Sequence, residues 1–204
     1  KGLLPANRIY VFDSLPSRME AARARGVICV DSADELAASC GTLFLAVKPQ
    51  HLQEALAPLL GKVPATIRII SIMAGISIAV LRECFGDRAR ILRVMPNTPA
   101  LVGAGAAALA HSDTCGPEDI DAGKLFFSAV GIVELVPESC MDAVTALSGS
   151  GPAYFFYLAE CLASAAIEEG LPEALASRLA AHTLIGAGQL LRASGKSPSV
   201  LREQ

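Results

Sequence analysis

The chain has 204 residues, room for one large domain or two small ones. Hydrophobic residues make up 52% and charged residues 18%, which excludes collagen-like and disordered chains. Seventeen Lys and Arg against twenty Asp and Glu leave a formal charge of −3, with no basic stripe for nucleic acid and no polybasic membrane patch. The mean hydropathy of +0.47 raises the question of a membrane span. The longest charge-free mid-chain stretch, Val94 to Ser112, is broken by Pro96, Pro99, Gly103 and Gly105, whereas a span needs about 20 continuous apolar residues. Lys1 to Arg8 carries no apolar leader pattern, so the expected setting is intracellular and cytoplasmic.

In chain order, Ile9 to Phe12 reads as a strand ending at Asp13, and Ser14 to Arg25 as a helix closed by Gly26. Val27 to Val30 is the next strand. Ser32 to Ser39 follows as a helix with Ser32 and Glu35 in capping-box spacing. Thr42 to Val47 is a buried strand interrupted at Lys48-Pro49. The pattern repeats with a helix over Leu52 to Leu60, a strand at Arg68 to Ser71, a helix over Ile78 to Phe85 and a strand at Ile91 to Met95. Gly103 to Leu109 and Gly131 to Val136 read as further strands around a Glu118 to Ser128 helix. Near-continuous apolar strands alternating with helices predict an α/β domain built on a parallel sheet, over residues 1–136.

After Pro137 the β-branched runs give way to Ala, Leu and Glu at helical spacing, so 137–204 is expected to be all-helical. Ser148-Gly149-Ser150-Gly151-Pro152 interrupts its first helix, and Gly170-Leu171-Pro172 separates it from the next. Both helices are apolar around most of their circumference, which predicts an oligomer.

Chemistry is sought at the carboxyl ends of the strands, where open parallel sheets bind ligands. Asp13 stands where an acid can reach an adenine-nucleotide ribose, though an ordinary loop Asp reads the same way. Lys48 closes a buried strand, with Pro49 fixing the turn; the alternatives are an anion contact or a Lys whose stem lies along apolar surface. Met95-Pro96-Asn97-Thr98-Pro99 sets an amide and a hydroxyl on rigid backbone. The six cysteines, at 29, 40, 84, 115, 140 and 161, form no CxxC, and the histidines at 51, 111 and 182 stand apart. Buried small hydrophobes are therefore expected rather than a metal site or a triad. No G-x-G-x-x-G follows a strand anywhere, and the chain opens at what would be the linker into a second strand.

Leu43-Phe44-Leu45-Ala46-Val47-Lys48-Pro49, Arg93-Val94-Met95-Pro96-Asn97-Thr98-Pro99 and Asp142-Ala143-Val144-Thr145-Ala146-Leu147-Ser148-Gly149-Ser150-Gly151-Pro152-Ala153-Tyr154 closely resemble the pyrroline-5-carboxylate reductase family. The resemblance covers essentially the whole chain. It implies a Rossmann-type domain followed by an all-helical dimerisation domain. The implied activity is reduction of 1-pyrroline-5-carboxylate to L-proline with NADPH or NADH, by a homodimer that can assemble further.

Carried over by position, the resemblance puts Asp13 and Ser14 at the cofactor ribose. Ala46, Val47, Lys48 and Pro49 would line the nucleotide cleft, with Ala74 beside it. Asn97 and Thr98 would face nicotinamide and substrate, Glu138 would contact the substrate, and Gln204 would make a polar cofactor contact. Ala33 stands where the family often has Asn. The family's Gly-rich loop and its Ser-Pro-Gly-Gly-Thr-Thr segment lie outside the sequence. Asp13 disfavours a 2′-phosphate while Arg18 could reach one, so the choice between NAD and NADP stays open. Two other readings stand beside this one: a reductase of a different imine or keto acid, and a non-catalytic dimerising module.

Overall fold

A computed structural model describes residues 2–64 and 66–203. They fall into two compact units, divided between Gly149 and Ser150.

The first unit opens with a two-stranded parallel sheet, β1 (Tyr10–Val11) and β2 (Ile28–Cys29), joined by α1 (Pro16–Arg23). Next comes α2 (Ala33–Ser39), where Ser32 Oγ accepts the Glu35 N–H at 3.3 Å. The reciprocal bond of the expected capping box shifts by one residue: Glu35 Oε2 accepts from the amide of Asp31 at 3.0 Å.

A five-stranded sheet follows, in the order β3-β4-β5-β6-β7. Its strands are β3 (Thr42–Leu45), β4 (Arg68–Ser71), β5 (Arg90–Met95), β6 (Gly105–His111) and β7 (Gly131–Leu135). The short α3 (Leu52–Leu56) connects β3 to β4, α4 (Ile78–Phe85) connects β4 to β5, and α5 (Pro117–Ser128) connects β6 to β7. Strands β3, β4 and β5 are parallel as expected, and so are β6 and β7. The all-parallel expectation fails at one place, because β6 runs antiparallel to β5. A parallel crossover needs about a dozen residues or more, usually a helix. Here only a tight 3₁₀ turn, Thr98–Val102, capped by left-handed Gly103 at φ 78°, joins the two strands, and it can do no more than reverse the chain.

Alternation sends successive residues to opposite faces. Ile69 and Ile91 enter a core with Leu43, Leu45, Leu56 and Leu81, under α2, α3 and α4. Ile70, Leu92 and Val94 enter another with Leu109, under Phe126 and Phe127 of α5. α5 lies so close that a Cβ on Gly123 would stand 2.6 Å from Leu109 Cδ1 and 2.7 Å from Leu92 Cδ1. A third cluster joins Ala108 and Ala110 to Met141 at the start of α6 (Met141–Val144). Residues 137–149, read from sequence as the opening of the helical domain, thus belong to the compact α/β unit.

Between β1 and β3 lies an open groove of about 850 Å³, lined by Ile9, Tyr10, Thr42, Leu43, Phe44 and Phe126 among others. Among the described residues, β1 pairs with β2 and β3 with β4, each on the side away from this groove.

The second unit contains α7 (Gly151–Glu168) and α8 (Glu173–Ser194), which pack on each other, and α9 (Pro198–Arg202). Ala176 and Ala180 are buried, while Tyr154, Phe155, Phe156 and Leu158 stay exposed, as does Tyr157 at 68%. Among the described residues no helix is long and apolar enough to cross a membrane.

One buried carboxylate clamps the sheet to α5. Asp119, fully buried, accepts Arg68 Nε at 2.7 Å and Arg90 Nη1 at 3.1 Å on Oδ1, and the Gly116 N–H at 3.0 Å on Oδ2. Removing such an acceptor leaves two arginines and a helix-start amide without their partner. Asp119→Ala should cost roughly 3 kcal/mol, and Asp119→Asn less because an amide oxygen still caps α5. Denaturant midpoints for the three proteins check this order.

Candidate active site

The parallel strands β3, β4 and β5 end side by side, with Leu45 opposite Ser71 and Ser71 opposite Arg93. Their carboxyl edge therefore gathers three of the expected segments. Ala46, Val47, Lys48 and Pro49 leave β3 and are all exposed. Among the described residues the Lys48 ammonium has no carboxylate partner. Beyond β4, the Ile72 amide bonds back to Leu45 O at 3.1 Å, and the chain turns through exposed Ala74 and Gly75, whose φ of 75° suits glycine. Beyond β5 come Asn97 and Thr98.

Asn97 is half-buried and much of its amide is committed. Its Oδ1 accepts the Ala106 N–H at 2.9 Å, and Nδ2 donates to Ser148 O at 3.1 Å. It braces the start of β6 against the end of a wide π-helical turn, Thr145–Gly149, that follows α6. Such turns release backbone carbonyls and recur at functional sites. One amide hydrogen of Asn97 is left for a ligand, and the Thr98 side chain is exposed. The Ser/Gly break expected from the sequence at 148–152 is thus this π turn followed by a new helix start at Gly151.

Glu138 lies at the same edge. Its Oε1 accepts the Ile78 N–H, the first amide of α4, at 2.7 Å and Arg93 Nη1 at 3.1 Å. The side chain keeps 34% of its surface exposed, against 9% for Arg93. Asp142, whose side chain is almost wholly exposed, stands 3.9 Å from Arg93 Nη2. Arg93 and the Ile78 amide are the partners that sequence reading did not single out. The available signal was a charge inside the apolar run Ile91-Leu92-Arg93-Val94-Met95, since a buried charge requires a partner.

Asp13 follows β1, in the smaller sheet. Its Oδ1 accepts the Leu15 N–H at 2.9 Å and its Oδ2 pairs with Arg18 at 3.2 Å, while Ser14 is exposed. No described contact joins Asp13 or Ser14 to Lys48, Ala74 or Asn97. Gln204 lies outside the described residues. Ala33 is the first residue of α2 and packs against the larger core. The cysteines depart from the expected buried set: Cys29, Cys40, Cys84 and Cys115 are half-buried, while Cys140 and Cys161 are exposed, and burial pushes the thiols of Cys40, Cys84 and Cys115 above their usual range. Among the described residues no group of three His, Cys, Asp or Glu is placed to hold a metal ion.

Residues 138–204 match the family model for pyrroline-5-carboxylate reductase dimerisation. A curated pyrroline-5-carboxylate reductase 3 from Danio rerio is 36% identical over all of this chain and 70% of its own length. The chain belongs to the pyrroline-5-carboxylate reductase family. A family member from Synechocystis is 44% identical over 79% of the chain, which spans 60% of that relative's length. The structure of the Plasmodium falciparum pyrroline carboxylate reductase, solved with NADP bound, superposes with a TM-score of 0.80 at 29% identity, over 95% of this chain and 71% of that one. The Rossmann-type reading of the α/β unit agrees with this likeness.

The brace at Asn97 makes a stability prediction independent of catalysis. Asn97→Ala should lose about 1–2 kcal/mol by orphaning the Ala106 amide and the Ser148 carbonyl. Asn97→Asp should lose at least as much, because a carboxylate oxygen would face Ser148 O. Urea unfolding followed by circular dichroism distinguishes this from the opposite order.

Proposed function

We propose that the protein to which this chain belongs reduces 1-pyrroline-5-carboxylate to L-proline at the carboxyl edge of β3, β4 and β5, with NADPH or NADH as hydride donor. The observation that carries this is Glu138, a carboxylate held at one oxygen by Arg93 of β5 and by the start of α4, with the Asn97-Thr98 turn leaving the carboxyl end of the same strand β5. Family membership supports the same reading.

The residues present fit part of a dinucleotide. Ala46, Val47 and Ala74 offer small exposed surfaces, Lys48 offers a cation without a described partner, and Asp13 lies just beyond β1, where a ribose-binding acid would stand. A pyrophosphate loop is not among the 204 residues. When bound, the nicotinamide supplies the hydride. The chain's own part is to orient and to balance charge. Glu138 would face the ring nitrogen of the protonated cyclic imine and stabilise that cation. The free amide hydrogen of Asn97 and the Thr98 hydroxyl would orient the ring, so that little entropy is lost at the reaction step. The imine nitrogen brings its proton from water, the carbon of the C=N bond receives the hydride, and the product is a secondary amine. No side-chain acid is needed.

The Asp13–Arg18 pair holds an acid and a base together at the ribose end, compatible with either nucleotide. The dimerisation segment and the exposed Tyr154, Phe155, Phe156 and Tyr157 support a homodimer, open to further assembly. A cytoplasmic setting belongs to the same reading.

A steady-state assay of the full-length protein tests the function: NAD(P)H should be consumed in proportion to pyrroline-5-carboxylate, with proline as product. Absence of proline, or faster reduction of an unrelated keto acid, overturns it. Lys48→Ala should raise the dissociation constant for the reduced nucleotides several-fold in a fluorescence titration without altering the fold; unchanged binding removes Lys48 from the site.

The apolar helix faces predict that association and folding are coupled, because obligate interfaces bury roughly 2,000 Å² or more. Sedimentation with circular dichroism over a wide concentration range should find dimer and helix lost together, and a folded monomer at nanomolar concentration would contradict this.

A further inference from the structure

We infer that Arg93 is a positioning residue for the reduction, acting on substrate only through Glu138; the inference rests on the substrate role proposed above for that carboxylate. Arg93 sits inside β5, between Leu92 and Val94, both essentially fully buried. Its guanidinium emerges beside residue 138, where Nη1 donates to Glu138 Oε1 at 3.1 Å. The same Oε1 takes the Ile78 N–H at 2.7 Å. Two donors thus converge on one oxygen, and among the described residues Oε2 has no hydrogen-bond partner. A carboxylate held in this way cannot swing freely about its terminal torsion, and the unshared oxygen is the one left for a ligand cation.

The arrangement has a second consequence. Ile78 begins α4, and the loop leading into it carries Ala74 and Gly75. Glu138 Oε1 therefore ties the loop after β4 to a side chain of β5. Arg93 carries a fixed charge that is 9% exposed, so it does not reach substrate itself; its further neighbour, Asp142, is 3.9 Å away and almost wholly exposed. A lysine at 93 would keep the charge and most of the stem but would lose the planar fork that reaches Glu138 and Asp142 at once.

A double-mutant cycle in the full-length enzyme tests this, with Arg93→Lys, Glu138→Gln and the double variant assayed for pyrroline-5-carboxylate reduction and for NADPH binding. Arg93→Lys should lower kcat/KM for the imine about tenfold, and the NADPH dissociation constant should move less than about twofold, since the effect falls on the carboxylate that meets the substrate cation. The double variant should be no worse than Glu138→Gln alone, because an arginine that acts through Glu138 has nothing left to position. Multiplicative losses in the double variant would show that Arg93 acts elsewhere and overturn the inference. If Glu138→Gln alone leaves kcat/KM unchanged, the substrate role of Glu138 falls first, and the inference with it. Should Arg93→Lys fold poorly, Arg93→Gln, which keeps a planar amide donor without the charge, carries the same cycle. Circular dichroism and thermal melts of each variant separate loss of fold from loss of positioning.

Discussion

A positive charge in the middle of an otherwise buried strand organises the candidate site. Arg93 cannot sit in β5 without an anion, because an uncompensated buried guanidinium costs several kcal/mol. Glu138 supplies that anion, and in doing so is drawn onto the first amide of α4. Arg93 thereby ties β5, the loop after β4 and the segment after β7 to one another. Whatever binds at this edge meets a carboxylate whose direction is already set.

The remaining architecture brings such segments within reach. Three parallel strands in register end together, so loops far apart in sequence emerge side by side. The reversal into β6 then lets Asn97 bond to Ala106, and the π turn exposes the Ser148 carbonyl that takes its other bond. At the opposite end of the strands, Asp119 gathers Arg68, Arg90 and the start of α5. The sheet is therefore pinned near both ends by ion pairs that each have one buried member, Asp119 at one end and Arg93 at the other, and hydrophobic clusters on its two faces fill the space between them.

The apolar runs at 68–71 and 91–95 were legible as strands because each is short, buried on both faces and bounded by turn residues. The helix at 78–85 was legible from its place in the repeating alternation of apolar strand and helix. The direction of β6 was not read, although the span from Pro96 to Ala104 is too short for a parallel crossover and contains two prolines and a glycine. Loop length carried that information and local periodicity did not. Glu138 was reached by resemblance alone, since one glutamate after a proline has no local signature. Its partner was written in β5 as a charge interrupting an apolar strand, but naming Glu138 as that partner needs the fold, since the two stand 45 positions apart in the chain. The Asn97 brace and the shared helix-start amide are tertiary contacts that no single-sequence pattern encodes.

A crystal structure of the full-length enzyme with reduced nucleotide and a non-reactive cyclic analogue of the imine tests the central claim most directly. The account predicts Glu138 Oε2 within hydrogen-bond distance of the ring nitrogen, while Oε1 keeps its bonds to the Ile78 amide and Arg93. A ring nitrogen turned away from Glu138, or a Glu138 released from Arg93 to reach it, would contradict the account.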